Sequence, residues 1–323
     1  MPEITFSKNV FLPLTTACSD TCYYCNFKDD IRKANIMDFK EAKRILQKAK
    51  KADCKEVLIT FGSKPHSVYG FKEKLRQKTG YESIYELLLD ICKEALKIGL
   101  LPHSNPGLID KDTLGAIARY NASMGLMLET TAEVSAHKYS PTKSPQKRLK
   151  FIENAGKLKI PFTTGLLIGI GEREKDRRDS LLAIKKLHMK YAHIQEVIIQ
   201  PIKSEKMPPV KYETIKQTVH IARQILPEEI KIQVPPNLEK IKDLLDCGVR
   251  DLGGISPITY DYINPDFAWP AIKSLEKELA PNKLKERLAV YPRYINQKWV
   301  SREVLECMER EGWLDEKCCS TGS

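Results

Sequence analysis

The most constraining feature of this chain is a regular alternation of short apolar, β-branched segments with longer amphipathic ones. Eight segments have the composition of buried strands: residues 10–15, 57–61, 100–104, 124–129, 162–170, 197–200, 230–234 and 251–255. Seven segments have helical periodicity: residues 38–51, 83–98, 111–119, 145–158, 176–188, 212–226 and 238–247. This alternation predicts an α/β fold, a parallel sheet closed into a (β/α)8 barrel of the TIM type.

Length and composition favour one soluble domain. The chain has 323 residues, of which 42% are hydrophobic and 29% charged, so a large core is available. We expect residues 1–323 to form a single barrel domain, with residues 275–323 as a C-terminal helical extension. No apolar run approaches the ~18 residues of a membrane span. The N-terminus lacks the layout of a signal peptide. We therefore expect a cytoplasmic protein with no membrane partner.

The charge balance is basic, with 53 lysines and arginines against 42 acids. The lysines are scattered along the predicted helices among glutamates, which is typical of a solvated surface. No basic, aromatic or glycine-rich RNA motif accompanies them, so we expect no nucleic-acid partner. A basic, zinc-containing RNA-binding protein remains the alternative from a different functional class.

Three cysteines follow the first predicted strand at C-x3-C-x2-C spacing: Cys18, Cys22 and Cys25. Thiolates this close together converge on one centre, and three of them leave one iron of a [4Fe–4S] cube open to another molecule. Structural zinc sites have four ligands, usually in two separated pairs, and no second pair follows here. The spacing therefore favours an iron–sulfur cluster. Tyr24, just before the last cysteine, is expected to cover it.

This spacing resembles that of the radical S-adenosylmethionine (SAM) enzymes, whose open iron binds the amino and carboxylate groups of SAM. The resemblance implies a [4Fe–4S] cluster, SAM and a low-potential electron donor. Gly62 and Pro65, after the second strand, match a family motif whose backbone carbonyls receive the methionyl ammonium. Ser63 stands where that motif often has an acid. An ordinary glycine–proline turn is the alternative interpretation.

Later strand ends carry further candidate SAM contacts. The resemblance implies that Glu129 binds the ribose hydroxyls, that Arg148 binds the methionyl carboxylate and that Ile168 packs on the adenine. The sixth strand, at Ile199, is expected to supply backbone contacts to the adenine edge. Ser104, at the end of the third strand, is polar and could contact either ligand. For Ser104 a structural turn, and for Arg148 an exposed helix position, are the alternatives.

The segment 251–259, Asp-Leu-Gly-Gly-Ile-Ser-Pro-Ile-Thr, resembles the CofG-type, deazaflavin-forming branch of the family. This resemblance implies cyclisation of a hydroxybenzyl-ribitylimino-uracil adduct to 7,8-didemethyl-8-hydroxy-5-deazariboflavin. It further implies that ammonia is lost and that a CofH-like partner enzyme supplies the adduct. The reaction would belong to coenzyme F-420 biosynthesis. A different radical SAM reaction, biotin synthase-like or maturation-type, remains the rival. The expected substrate contacts are Ser256, Thr259, Asp261 and Asn264. Capping of the final loop is the alternative interpretation for these residues.

Overall fold

The computed structural model describes residues 3–314 and forms a closed, parallel, eight-stranded barrel. The strands are β1 Glu3–Thr15, β2 Glu56–Phe61, β3 Leu101–Asn105, β4 Ser123–Gly125, β5 Phe162–Ile168, β6 Ile194–Pro201, β7 Lys231–Gln233 and β8 Val249–Ile255. Neighbours in the sheet follow chain order, and β1 pairs with both β2 and β8, which closes the barrel. The predicted (β/α)8 fold is confirmed.

Helices connect the strands and cover the outside of the barrel. They are α1 Phe39–Lys51, α2 Phe71–Thr79, α3 Ile84–Ile98, α4 Lys111–Ala118, α5 Pro145–Lys157, α6 Glu174–Tyr191, α7 Tyr212–Ile225, α8 Lys242–Leu245, α9 Ile272–Leu279 and α10 Arg302–Arg310. The main core lies between strands and helices; for example, Leu12 of β1 belongs to one buried cluster with Leu46 of α1 and Leu87 of α3. None of the helices among residues 3–314 is long and apolar enough to span a membrane.

The part of the predicted C-terminal extension that the structure describes contains a short strand as well as helices. This strand, β9 (Lys283–Glu286), runs parallel to the start of β1 and pairs with Glu3–Phe6. Helix α10 follows and contacts α3. Residues 315–323 of the predicted extension lie outside the described residues, and the division of 1–323 into a barrel and an extension stays a prediction.

Residues 287–291, which follow β9, close the amino end of the barrel. Arg287 lies between two buried acids, with its Nε 2.6 Å from Asp251 Oδ2 and an Nη2 3.2 Å from Glu196 Oε1. The Tyr291 hydroxyl donates to Asp251 Oδ2 at 2.7 Å. We call this set of four residues the barrel floor. The carboxyl ends of the strands form the opposite rim, where barrels of this type place their ligand sites.

Candidate active site

The cysteine loop, residues 16–27, leaves the rim directly after β1 and is fixed by two neighbouring loops. On one side, the Ser19 backbone N–H donates to the carbonyl of Ser63, after β2, at 2.9 Å. On the other, the Tyr23 N–H donates to the Ala136 carbonyl, in the loop after β4, at 3.0 Å. Hydrogen bonds on both sides hold the loop's backbone in place, and with it the three sulfur atoms.

Each cysteine sulfur accepts at least one hydrogen bond. The Ser63 N–H donates to Cys18 Sγ at 3.2 Å, and the Ser140 hydroxyl donates to Cys22 Sγ at the same distance. Cys25 Sγ accepts from two backbone N–H groups just after it, both at 3.4 Å. Burial raises the pKa of the Cys18 and Cys22 thiols. Donors aimed at sulfur stabilise thiolates, so the loop suits a cluster that the thiolates would ligate.

Gly62 is the residue that allows the β2 loop to approach the cysteine loop. A Cβ atom at this position would clash with the Ala17 carbonyl and lie 2.6 Å from Cys18 Cβ. The next residue, Ser63, lines the cavity, and its hydroxyl oxygen is buried with no hydrogen-bond partner among the described residues. Gly62 and Ser63 thus lie beside Cys18, and the Ser63 hydroxyl is free to bind a ligand.

Tyr24 lies inside the site and is held by a histidine that the sequence did not indicate. Its hydroxyl lies 2.9 Å from Nε2 of His137. The Tyr24 ring packs in a small apolar cluster that includes Leu167, Ile170 and Ile202. Burial lowers the pKa of His137 to about 4, so this imidazole is neutral near pH 7. Tyr24 therefore forms part of an apolar wall beside the second and third cysteines.

Glu129 and Arg148 meet each other at the rim. Glu129 has a left-handed backbone, with φ of 69°, and its carboxylate is ion-paired with Lys143 and lies 3.6 Å from an Arg148 Nη1. Arg148 also donates to the carbonyls of Met127 and Thr142. Burial opposes ionisation of Glu129, but Lys143 and Arg148 outweigh it and lower the pKa of that carboxyl. The group is a buried carboxylate between two cations, all of which line the cavity.

Lys143 is a site residue that sequence reasoning missed. It lies two residues before the start of α5, in a polar loop, where a lysine is usually a solvated side chain. Only the fold brings it to Glu129. Because Glu129 and Arg148 lie 3.6 Å apart, the ligand groups that they bind must lie close together in space.

Three predicted contacts, Ser104, Ile168 and Ile199, have side chains that point away from the cavity. In each case an adjacent residue of the same strand points into it. Ser104 is wrong as a cavity residue: it is fully buried, with its Oγ 3.8 Å from Cys92 Sγ of α3, so it faces the outer helices. His103 and Asn105, its neighbours on β3, line the cavity. Successive side chains of a strand point to opposite faces, so a shift of one residue exchanges the two.

The same shift occurs on β5 and β6. The side chains of Ile168 and Ile199 belong to the core between barrel and helices and do not line the cavity, so the predicted packing of Ile168 on the adenine needs correction. The backbone contact expected at Ile199 stays a prediction. The cavity-lining side chains are Leu167 on β5, and Ile198 and Gln200 on β6. Leu167 is also packed against Tyr24 in the apolar cluster, so it is the better candidate for covering a flat ring.

The loop after β8 divides its four predicted substrate contacts into two pairs. Asp261 and Asn264 line the cavity, and Asp261 accepts hydrogen bonds from Asn264 and from Asn237 Nδ2 at 3.0 Å. Ser256 and Thr259 do not line it.

Instead, the hydroxyls of Ser256 and Thr259 lie 2.7 Å apart, and Thr259 Oγ1 accepts from the Phe11 N–H of β1 at 3.0 Å. That pair anchors the loop outside the cavity lining, so Asp261 and Asn264 are the better placed of the four predicted substrate contacts.

One cavity of about 400 Å³ unites the rim and the barrel interior. It is lined by all three cysteines and by the Glu129 group, and it extends down to the floor. Further polar side chains line the barrel interior: Asn9, Glu56, His103, Asn105, Thr163, Gln195, Glu196, Gln233 and Arg287. Bulky aliphatic side chains usually fill the interior of such barrels, so this polar, hollow interior is equipped to take a polar ligand.

Among residues 3–314, no three His, Cys, Asp or Glu side chains are grouped around a point where a single metal ion could sit. A four-iron cube attaches each thiolate to a different iron and does not need the sulfurs to meet at one point. The three sulfurs line one cavity, each with a hydrogen-bond donor. The residues present therefore fit a cube that the three thiolates would hold at the cavity.

A hollow (β/α)8 barrel with a three-cysteine loop after its first strand defines a class of radical enzymes, and comparison with known proteins agrees. Residues 12–184 match the family profile described as the radical SAM superfamily. The chain belongs to this superfamily.

Its curated relatives carry a more specific name. The chain is 50% identical over 302 residues to the 7,8-didemethyl-8-hydroxy-5-deazariboflavin synthase of Methanosphaerula palustris. The matched region covers 92% of each chain. It is 45% identical over 319 residues to the synthase of the same name from Halobacterium salinarum, covering 95% of this chain and 87% of that relative.

Solved structures share the fold at low sequence identity. Methylornithine synthase (PylB) superposes with a TM-score of 0.60 at 18% identity, covering 96% of this chain and 82% of that one. The FeFe-hydrogenase maturase HydG from Carboxydothermus hydrogenoformans superposes with a TM-score of 0.66 at 15% identity, covering 86% and 66%. At these identities the likeness concerns the barrel alone.

Proposed function

We propose that the protein is a radical SAM synthase that forms 7,8-didemethyl-8-hydroxy-5-deazariboflavin, the deazaflavin chromophore of coenzyme F-420. The observation that carries this proposal is the 45–50% identity, over more than nine-tenths of the chain, to relatives of that name. The cavity supports it, because it joins the cysteine loop to a polar interior large enough for a small heterocyclic substrate. On this proposal the whole chain, 1–323, acts as one catalytic domain.

Cys18, Cys22 and Cys25 would hold the [4Fe–4S] cluster. When bound, the cluster and SAM supply one-electron chemistry that generates a radical able to remove a hydrogen atom. Tyr24 and the apolar cluster around it exclude water from the inner side of the cysteine loop. A dry wall protects a radical from side reactions with solvent.

The Glu129 group and the Gly62 loop would bind SAM. The Glu129 carboxylate offers two acceptor oxygens that match a ribose diol, while Arg148 and Lys143 present cations to a carboxylate. Ser63 adds an unpaired hydroxyl beside Cys18. Leu167 replaces Ile168 as the side chain proposed to cover the adenine, since it lines the cavity.

The reaction proposed is an ammonia-releasing lyase reaction. A hydrogen atom leaves the hydroxybenzyl-ribitylimino-uracil adduct, the new ring closes, and the amino group departs as ammonia. Formation of the aromatic product also releases one proton and one electron, which replaces the electron used to cleave SAM to methionine and 5′-deoxyadenosine. A CofH-like partner enzyme supplies the adduct, and a low-potential donor supplies the first electron. We place the protein in the cytoplasm, where reduced thiols are maintained.

The test is anaerobic incubation of the iron-reconstituted protein with SAM, a strong reductant and the adduct. Deazaflavin fluorescence should rise, with 5′-deoxyadenosine formed in proportion. The matched control is Cys54→Ala, a cysteine buried away from the cavity behind β1, which should retain the activity. Formation of 5′-deoxyadenosine without deazaflavin, over a range of adduct concentrations, would contradict the assigned substrate but not the radical SAM chemistry.

A further inference from the structure

Two carboxamide side chains inside the barrel have bonding groups that the protein does not use. Asn9 of β1 is 2% exposed, and its Oδ1 has no hydrogen-bond partner among residues 3–314. Gln233 of β7 is 8% exposed and, in the same described part, makes no side-chain hydrogen bond. Both line the cavity. An unpaired buried polar atom costs about 1–3 kcal/mol, so the Asn9 oxygen calls for an explanation.

Glycines on the intervening strand make room for these two side chains. Strand β8 lies between β1 and β7, and it carries Gly253 and Gly254 in succession. A Cβ on Gly253 would clash with the Gln233 carboxamide, and a Cβ on Gly254 would clash with Asn9 Nδ2. The glycine pair therefore lets the two carboxamides lie against the backbone of β8 and face the cavity.

The same arrangement recurs across the barrel. Asn105 of β3 lines the cavity, and a Cβ on Gly125 of β4 would clash with its Oδ1. Carboxamides seated on glycines are thus a repeated feature of this interior. Filling the space with aliphatic side chains would give more burial of apolar surface, so the arrangement costs stability unless a ligand uses it.

The position of the pair indicates which ligand it meets. Asn9 precedes the end of β1 by six residues, or about 20 Å of strand, so it lies well below the cysteine loop. The groups proposed to bind SAM lie at the rim, after β1, β2 and β4. The pair is therefore placed for the distal part of the other ligand.

We propose that Asn9 and Gln233, which we call the carboxamide pair, bind the imide edge of the substrate's pyrimidinedione ring. This inference rests on the proposed function. A carboxamide presents a donor and an acceptor side by side, which match the carbonyl and N–H of a cyclic imide in two-point hydrogen bonds. The ring thus enters first and lies deep in the barrel, and the rest of the adduct extends toward the cysteine loop.

The test uses calorimetric binding to the anaerobic holoenzyme with SAM bound. The probes are 6-ribitylaminouracil, the same compound methylated on the imide nitrogen, and 6-methylaminouracil, which lacks the polyol. The parent should prefer the free imide over the methylated one by about tenfold, as expected for one or two hydrogen bonds. Gln233→Met, of similar shape without donors or acceptors, should remove most of this preference.

A second variant tests the space that the glycine leaves for the carboxamide, without removing the carboxamide itself. Gly254→Ala has ordinary backbone angles available, and its methyl group should displace the end of the flexible Asn9 side chain. It too should lose the imide preference while keeping its cluster and SAM affinity. Gln47→Met, on the exposed face of α1, is the matched control and should behave as the parent.

Several results would overturn the inference. It fails if Gln233→Met and Gly254→Ala retain the parent's preference for the free imide. It also fails if these variants lose only the affinity that the polyol provides, because the pair would then bind the ribityl chain. A parent that forms deazaflavin but does not distinguish the methylated ring contradicts the inference alone. A parent that binds none of the probes and forms no deazaflavin contradicts the proposed function as well.

Discussion

The rim and the floor of this barrel both contain buried charges, but they use them differently. At the rim, Glu129 lies between two cations and still faces the cavity. At the floor, the Asp251 carboxylate accepts hydrogen bonds from Thr5, Gly253, Arg287 and Tyr291, so its capacity is filled by the protein.

The two acids of the floor also differ in their pKa shifts. Burial holds the pKa of Glu196 well above its ordinary value, whereas for Asp251 the neighbouring Arg287 outweighs burial and lowers the pKa. Arg287 therefore faces two buried acids whose pKa values are shifted in opposite directions. A charge set that is satisfied internally holds structure, while one with unused capacity holds a ligand. Substitutions at the rim should thus change binding, and those at the floor should change stability.

The largest expected effect is at the rim, from Cys22→Ala. Loss of one thiolate should remove the brown absorbance of the reconstituted protein and abolish SAM cleavage. The loop supplies three thiolates, and the cluster needs all of them. The circular dichroism spectrum should remain that of a barrel, since the sulfur faces the cavity. Retention of a complete, reducible cluster in this variant would contradict the assignment of the loop.

The second effect is at the floor, from Arg287→Met. Removing this cation leaves Asp251 as a buried charge without its cationic partner, which costs about 3–5 kcal/mol in comparable cases. Urea unfolding should give a midpoint well below the parent's. Arg302→Met is the control, since Arg302 is exposed and pairs with Glu306 on the surface of α10, where such pairs contribute about 0–1 kcal/mol. Equal stability of the two variants would show that the floor is not structural.

The rim was largely predictable because its signals are local. The cysteine spacing, Gly62 and the acid at Glu129 are read from short segments, and all of them line or shape the cavity. The floor was not predictable. Arg287 lies 36 and 91 positions from its two acids, and nothing in its neighbourhood distinguishes it from a surface arginine.

Between rim and floor, the strands were predicted but not their faces. Strands that are buried on both sides have no alternation of polar and apolar residues, so the sequence does not say which side chains point inward. The sequence alone therefore does not decide between Ser104 and its neighbours, or between Leu167 and Ile168. The glycines of β8 belong to the 251–259 segment in the sequence, but only the structure connects them to Asn9 and Gln233.

The third prediction returns to the rim with a smaller change, Glu129→Gln. A hydrogen bond from a charged group is worth about 1.5–3 kcal/mol, so the dissociation constant for SAM should rise about tenfold or more. The unfolding midpoint should fall less than in Arg287→Met. Glu133→Gln, on an exposed residue of the same loop, should bind SAM as the parent does. Unchanged SAM affinity in Glu129→Gln would remove this carboxylate from the cofactor site.

The smallest effect is expected where loop anchor and substrate site lie side by side, after β8. Thr259→Val removes the hydroxyl that accepts from the Phe11 N–H and meets Ser256, but keeps the side chain's shape. Stability should fall by about 1 kcal/mol, the usual worth of one hydrogen bond, and kcat/KM for the adduct should stay within about threefold of the parent. Gln233→Met should show the opposite pattern, with adduct binding weakened more than folding. If Thr259→Val raises KM tenfold at unchanged stability, this hydroxyl contacts the substrate, and the boundary between anchor and site must be moved to include it.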